Sequence, residues 1–181
     1  PWVEVVREAA ALFEDEAIEL VVIATPNSSH FELARQALVA YKHVVVDKPF
    51  TLTSEQAQEL IELAHEQNKV ISVFQNRRWD GDFQTVRQIV KQDCLGRLVE
   101  YESHFDRFRN YFNPERAWRE EVGAGSGVLF DLGSHLIDQA LVLFGLPRML
   151  TADIRSQRET GKPDDQFELI FHYDSLKVTL K

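Results

Sequence analysis

The residues best suited to move a proton are Asp131 and His135, which stand four positions apart in the stretch 127–145. This stretch predicts a single helix, and side chains at positions i and i+4 of a helix lie next to each other. A carboxylate beside an imidazole fixes the orientation of the ring and favours its protonated form, which is typical of a histidine that transfers protons. Such pairs also occur on solvated helix surfaces, so the interpretation depends on the residues around them.

The rest of the predicted helix favours a functional face over a solvated one. A solvated face usually carries Lys and Glu, whereas the polar side here comprises Asp131, Ser134, His135, Asp138 and Gln139. The opposite side is a broad apolar arc, which predicts that it packs on a core. The residues of this arc are Leu129, Leu136, Ile137, Ala140, Leu141, Leu143 and Phe144.

The first part of the chain alternates between predicted strands and helices. Strands are predicted at 20–24, 44–46 and 70–74, with helices at 3–13, 30–40 and from 53 onwards. This order is the pattern of half of a doubly wound parallel sheet. The first two strands are continuous apolar runs, as expected of strands buried on both faces. Thr53 and Gln56 predict a capping box, and Ala57, Leu60, Ile61 and Ala64 the inward stripe of the helix that follows.

A polar cluster follows each of these strands. The clusters are Thr25-Pro26-Asn27, Asp47-Lys48-Pro49 and Asn76-Arg77-Arg78. Ligands of doubly wound sheets bind beyond the carboxyl ends of the strands, so we expect the clusters to face one crevice. Lys48 would place a cation in that crevice.

The second part of the chain predicts an α+β domain with a mainly antiparallel sheet. Beyond a helix at 80–92, the residues 98–105 alternate as in an antiparallel strand with one covered face, and further strands are predicted at 150–155, 166–173 and 177–180. We place the domain boundary between residues 79 and 80. The segment 107–121 interleaves basic and aromatic residues, and we interpret it as a loop over an active site.

Composition excludes several classes of protein. The formal net charge of −9 argues against nucleic acid and anionic membranes as partners. The sequence has no apolar run of about 20 residues and no signal-peptide layout, so we expect a cytoplasmic protein. With a single cysteine, Cys94, and no zinc-like spacing of Cys and His, we predict no metal site.

Three motifs resemble the glucose–fructose oxidoreductase/inositol dehydrogenase/rhizopine-catabolism (Gfo/Idh/MocA) family. They are Ala24-Thr25-Pro26-Asn27 with His30, the Lys48-Pro49 pair after a strand, and Asp131 with His135. Within the family, the sequence is most similar to the branch that contains NADP-dependent scyllo-inositol dehydrogenases. The segments that carry this similarity are Asp47-Lys48-Pro49-Phe50, 76–80 and 118–120. Many relatives have Glu before Lys-Pro, and Asp47 keeps that charge.

The resemblance implies a Rossmann-type, nicotinamide-dependent oxidoreductase acting on a polyol, cyclitol or sugar, with NADP favoured over NAD. Lys48, Asp131 and His135 would form the catalytic group. The resemblance also implies a homo-oligomer formed through the sheet of the second domain. The implied cofactor-binding residues are Pro26, Asn27, His30, Asp47, Lys48, Pro49, Asn76, Trp118 and Arg119.

Residue chemistry agrees with this activity. Oxidation of a secondary alcohol removes a hydroxyl proton while hydride leaves the carbon, and His135 can accept that proton. Lys48 would stabilise the negative charge that develops on the oxygen, and Asp131 would orient His135 and pair with Lys48.

The sequence contains no G-x-G-x-x-G phosphate loop. In the family, this loop lies in the first half of the nucleotide-binding domain. We therefore expect the chain to be an internal segment of a longer protein. By itself, such a segment should bind NADP poorly, because the phosphate cradle at a helix N-terminus is absent, and it should be inactive.

Two other readings remain open. A non-catalytic family member that binds a sugar or nucleotide and regulates another protein would be expected to lack the Lys or the His, and both are present. A metal-dependent hydrolase could use Asp131, His135, Asp138 and His104 as ligands, but these residues have no fixed ligand spacing.

Overall fold

The structure, a computed structural model, describes residues 3–108, 123–159 and 163–181. It divides into two compact units, Pro1–Phe74 and Gln75–Lys181. The sequence prediction placed the boundary five residues later, after residue 79. The difference arises because the turn Asn76–Trp79 is hydrogen-bonded to a helix of the second unit, as described below.

The first unit is built on a three-stranded parallel sheet in the order β1-β2-β3, as the alternation of strands and helices predicted. Its strands are β1 (Leu20–Ile23), β2 (His43–Asp47) and β3 (Ile71–Phe74). Its helices are α1 (Ala9–Glu14), α2 (His30–Val39) and α3 (Ser54–Glu66). Helix α1 begins six residues later than predicted, because the preceding residues include the β-branched, exposed Val3, Val5 and Val6.

The helices of the first unit pack on one face of the sheet. Val21 and Ile23 of β1 point into the core that α1, α2 and α3 cover. On the opposite face, Leu20 is 51% and Val22 is 64% exposed. Among the described residues, only one face of β1 is therefore covered. An unbroken apolar run does not reveal which face is covered.

Helix α3 begins with the predicted cap. The Thr53 hydroxyl accepts a hydrogen bond from the backbone N–H of Gln56 (3.2 Å), and the Gln56 side chain accepts one from the N–H of Leu52 (3.1 Å). Its inward stripe is rotated from the prediction. Leu60, Leu63 and Ala64 contact the core, whereas Ile61 is half exposed.

The second unit contains a four-stranded mixed sheet in the order β4-β7-β6-β5. Strand β4 pairs with β7 in parallel, so the prediction of an antiparallel strand is wrong there; the other two pairs are antiparallel. Its elements are α4 (Gly81–Lys91), β4 (Glu100–Ser103), α5 (Ser134–Phe144), β5 (Met149–Arg155), β6 (Gln166–His172) and β7 (Lys177–Leu180).

Helix α5 packs on one face of this sheet. Leu136 and Ala140 of α5 lie in one core cluster with Phe167, Leu169 and Phe171 of β6. The apolar arc predicted for the helix is therefore its sheet-facing side. None of the helices in the described residues has the length and apolar character needed to cross a bilayer.

Candidate functional site

The carboxyl ends of β1 and β2 lie side by side in the first unit. The two strands are parallel and adjacent, with Ile23 paired to Val46. A 3-10 turn, Asn27–Ser29, follows β1. Ser29 closes this turn, because both its N–H (2.9 Å) and its hydroxyl (2.7 Å) donate to the carbonyl of Pro26. Pro26 is exposed and Asn27 is half-buried at this edge.

Lys48 lies directly beyond the end of β2. Its side chain is half-buried, and its peptide bond to Pro49 is cis. The backbone N–H of Lys48 donates to the carboxylate of Asp47 (2.8 Å). A cationic side chain is thus held at the carboxyl edge of the sheet, with the Asp47 carboxylate bound to the backbone beside it.

The imidazole of His30 is enclosed rather than open to a ligand. Its side chain is 1% exposed. Nδ1 lies 2.8 Å from the carbonyl oxygen of Pro49, and Nε2 lies 2.9 Å from that of Thr25. The resemblance implied that His30 lines the cofactor crevice. In the structure, both of its ring nitrogens face backbone carbonyls.

The remaining implied cofactor residues lie outside the first unit. Asn76 begins the 3-10 turn Asn76–Trp79, two residues after β3, and belongs to the second unit. Trp118 and Arg119 lie outside the described residues, as does most of the predicted active-site loop at 107–121.

The helix that carries Asp131 and His135 begins with a π turn, Leu129–Gly133, which continues into α5. The N–H of Ser134 bonds to the carbonyl of Leu129, five residues earlier. The prediction of one regular helix is therefore wrong for its first turn. Single π turns within α-helices are frequent at functional sites. Asp131 lies in the π turn, and His135 is the second residue of α5.

A carboxylate that the sequence did not reveal holds the start of this helix. The Asp164 side chain accepts from the N–H of Leu129 (2.8 Å), and its carbonyl accepts from Val128 (3.0 Å). Gly127 has φ +93°, and a Cβ atom there would overlap the Asp164 carboxylate. No local pattern reveals this cap, because Asp164 follows Leu129 by 35 positions.

The polar face of α5 is buried. His135 is 5% and Gln139 is 8% exposed. The ring of Phe105 lies edge-on to the ring of His135, with the centroids 6.5 Å apart. This face is therefore shielded from bulk water, unlike the polar side of an ordinary surface helix.

The turn Asn76–Trp79 is fastened to the same face. Arg78 makes a bidentate ion pair with Asp138, from Nε to Oδ2 (2.7 Å) and from Nη2 to Oδ1 (2.5 Å). These hydrogen bonds raise the pKa of the Arg78 guanidinium above its ordinary value. The Gln139 amide donates to the carbonyl of Arg77 (3.1 Å). The sequence marked Asp138 and Gln139 as polar-face residues, but it did not identify Arg78 as their partner.

The metal-hydrolase reading gains no support from these contacts. Asp138, one of its suggested ligands, is bound to Arg78. His104 lies instead beside Glu102 (3.5 Å) and Asp106 (3.6 Å). Among the residues that the structure describes, no group of three or more His, Cys, Asp or Glu side chains could hold a metal ion.

The first unit fits part of a nicotinamide dinucleotide site. Turns beyond the carboxyl ends of adjacent parallel strands are the usual place for such a cofactor. Here they offer the half-buried amide of Asn27 and the cation of Lys48. A glycine-rich phosphate loop is not among the 181 residues of the sequence.

Known oxidoreductases are similar to this chain over both of its units. Uncharacterized oxidoreductase YdgJ of Escherichia coli (strain K12) is 49% identical over 180 residues, covering 99% of this chain and 51% of that protein. The scyllo-inositol 2-dehydrogenase (NADP(+)) IolW of Bacillus subtilis (strain 168) is 40% identical over 180 residues, covering 99% and 50%. A crystal structure of an oxidoreductase from Bacillus cereus matches with a TM-score of 0.86 at 40% identity, covering 97% of this chain and 49% of that one.

The chain spans about half the length of the curated relatives it matches. A model of the oxidoreductase family with an NAD-binding Rossmann fold matches residues 2–75. A model of the GFO/IDH/MocA C-terminal domain matches residues 83–181. Since these two models together account for nearly all of the sequence, the chain belongs to the GFO/IDH/MocA family of oxidoreductases.

Proposed function

We propose that the protein containing this chain transfers hydride between NAD(P) and a secondary alcohol of a polyol, cyclitol or sugar. Lys48, Asp131 and His135 are the proposed catalytic group. The observation that carries the proposal is the burial of His135, which is 5% exposed on a polar helix face. A buried imidazole four residues after a carboxylate is suited to exchange a proton with a bound alcohol rather than with bulk water.

Each of the three residues has a distinct role. His135 accepts the hydroxyl proton during oxidation and returns it during reduction. The Lys48 ammonium stabilises the negative charge that develops on the same oxygen, an interaction that is stronger in the transition state than in the ground state. Asp131 orients His135.

The bound nicotinamide supplies the hydride chemistry. Pro26, Asn27, Asp47 and Pro49 are the first-unit residues proposed to contact it, together with Asn76. A preference for NADP over NAD is supported by the similarity to IolW, whose name specifies NADP(+).

The test is an assay of reduced-nicotinamide absorbance with the full-length protein and a panel of cyclitols, polyols and sugars. We expect Lys48→Ala and His135→Ala each to lower kcat by at least about 100-fold, as for a lost general base or charge-stabilising group. Matched controls are Lys91→Ala and His65→Ala, which alter exposed residues at helix ends. Unchanged turnover in both catalytic variants would rule out the assigned roles.

We also infer that two copies pair through the sheet of the second unit. Strand β5 supports this inference, because its apolar side chains Met149, Leu150 and Ile154 are 46–57% exposed. Light scattering on the full-length protein should show a dimer or a larger assembly. A Met149→Glu/Leu150→Glu double variant should shift it towards the monomer, whereas a monomeric wild-type protein would contradict the inference.

A further inference from the structure

His30 joins two loops that the proposed function assigns to the active site. Thr25 lies two residues beyond β1, and Pro49 lies two residues beyond β2. The ring nitrogens of His30 reach a backbone carbonyl in each loop, at 2.9 Å and 2.8 Å. The first loop continues into Pro26 and Asn27, and the second contains Lys48.

The contacts of His30 differ in kind from two other polar contacts at this edge. The bond from Ser29 to Pro26 lies within the first loop, and the bond from Lys48 N–H to Asp47 lies within the second. His30, by contrast, connects one loop to the other. Its position is itself fixed, because it is the first residue of α2 and is 1% exposed.

A buried imidazole contributes more here than apolar filling. An apolar side chain would remove the imidazole N–H from the Thr25 and Pro49 carbonyls that the two ring nitrogens face. The loops would then adjust, and Lys48 is covalently next to the carbonyl that would move. Displacement of a catalytic group by about 1 Å can cost about 100-fold in rate.

We propose that His30 is a positioning residue. It sets the position of Lys48 relative to the first loop, which contains Thr25, Pro26 and Asn27. It acts through the Pro49 carbonyl and touches neither substrate nor cofactor. This assignment rests on the proposed function, in which Lys48 stabilises the substrate oxygen.

Three substitutions separate the two contacts. His30→Asn places an amide near the position of Nδ1 and can keep the bond to Pro49, whereas His30→Gln reaches the position of Nε2 and can keep the bond to Thr25. His30→Phe keeps an aromatic ring and removes both ring nitrogens. We expect kcat to fall about 10- to 100-fold in His30→Phe, with the KM for the alcohol changing less than about 3-fold. His30→Asn should recover more of kcat than His30→Gln.

A destabilised control distinguishes positioning from loss of fold. Leu38→Ala removes a fully buried, apolar side chain of the same helix, so it should lower Tm and leave kcat unchanged at 25 °C. The assignment is overturned if the His30 variants keep wild-type kcat, if His30→Asn and His30→Gln are equally active, or if Leu38→Ala loses kcat to the same extent.

A crystal structure of full-length His30→Phe tests the assignment apart from activity. We expect the Pro49 carbonyl to move by about 1 Å or more relative to β2. An unmoved carbonyl would overturn the positioning role. If the wild-type protein oxidises no alcohol in the panel, the proposed function fails, and this structure still decides whether His30 holds the loop.

Discussion

The ion pair between Arg78 and Asp138 predicts an asymmetric response to substitution. The Asp138 side chain is 12% exposed, whereas that of Arg78 is 46% exposed. Replacing Arg78 by Met leaves a nearly buried carboxylate without its two charged hydrogen bonds. Replacing Asp138 by Ala leaves a guanidinium that water can solvate. Arg78→Met should therefore be the more destabilising of the two changes.

The free-energy cost of breaking the Arg78–Asp138 pair should lie between the costs for exposed and for fully buried ion pairs. Exposed ion pairs contribute about 0.2–1 kcal/mol, and breaking a fully buried pair costs about 3–5 kcal/mol. Because one partner is nearly buried and the other is screened by solvent, we expect Arg78→Met to cost about 2 kcal/mol. Asp138→Ala should cost about 1 kcal/mol. In a double-mutant cycle, the coupling energy should be about 1 kcal/mol.

Urea unfolding of the full-length variants measures these differences. The control is Arg35→Met, because Arg35 is 47% exposed like Arg78, but its partner Glu59 is 53% exposed. The control should cost less than about 0.5 kcal/mol. Equal losses in Arg78→Met and Arg35→Met would refute the reasoning that burial of the carboxylate sets the cost.

Two further predictions concern Gly127, just before the π turn that leads into α5, and Asp165, just before β6. Gly127→Ala should lower the free energy of unfolding by about 2–4 kcal/mol in chemical denaturation, because φ is +93° and the new Cβ would displace the Asp164 cap. Burial would raise the pKa of Asp165, but hydrogen bonds from Gln157 and Arg158 outweigh it and hold that pKa below its ordinary value. The stability from Asp165 is thus present above about pH 4 and lost as pH falls through the lowered pKa, so acid titrations of Asp165→Asn should show a shallower loss than those of wild type.

Local patterns predicted the elements of the first unit well. Apolar runs punctuated by turn residues located all three strands, and Thr53 with Gln56 located the start of α3. These signals lie within a few residues of the feature they predict. The covered face of β1 depends on where the helices return to the sheet, so the run 20–24 alone could not decide it.

Long-range pairing limited the predictions for the second unit. The alternation of apolar and polar residues in 98–105 predicts a strand with one covered face. The same alternation occurs in strands with parallel and with antiparallel neighbours. The partner, β7, lies more than 70 residues further along the chain. The helical wheel of 127–145 looks regular, so the sequence contained no sign of the π turn. In the structure, Gly133 at the end of this turn lies close to Leu129 and to Phe167 of β6.

The sequence predicted which residues belong to the candidate site, but it did not predict which contacts they make. The sequence singled out His30, but its burial between Thr25 and Pro49 depends on two loops meeting. It also singled out Asp138, while its partner Arg78 was assigned to a different cluster. Side-chain type indicates what a residue can do, and the fold determines what it touches.

The central claim is that Lys48 and His135 act on one substrate oxygen. A crystal structure of the full-length protein with a nicotinamide cofactor and a turned-over polyol would test it most directly. We expect one hydroxyl oxygen of the polyol to lie within about 3.2 Å of both the Lys48 Nζ and a ring nitrogen of His135. A polyol whose reacting hydroxyl contacts neither residue, or a complex in which they bind separate molecules, would contradict it.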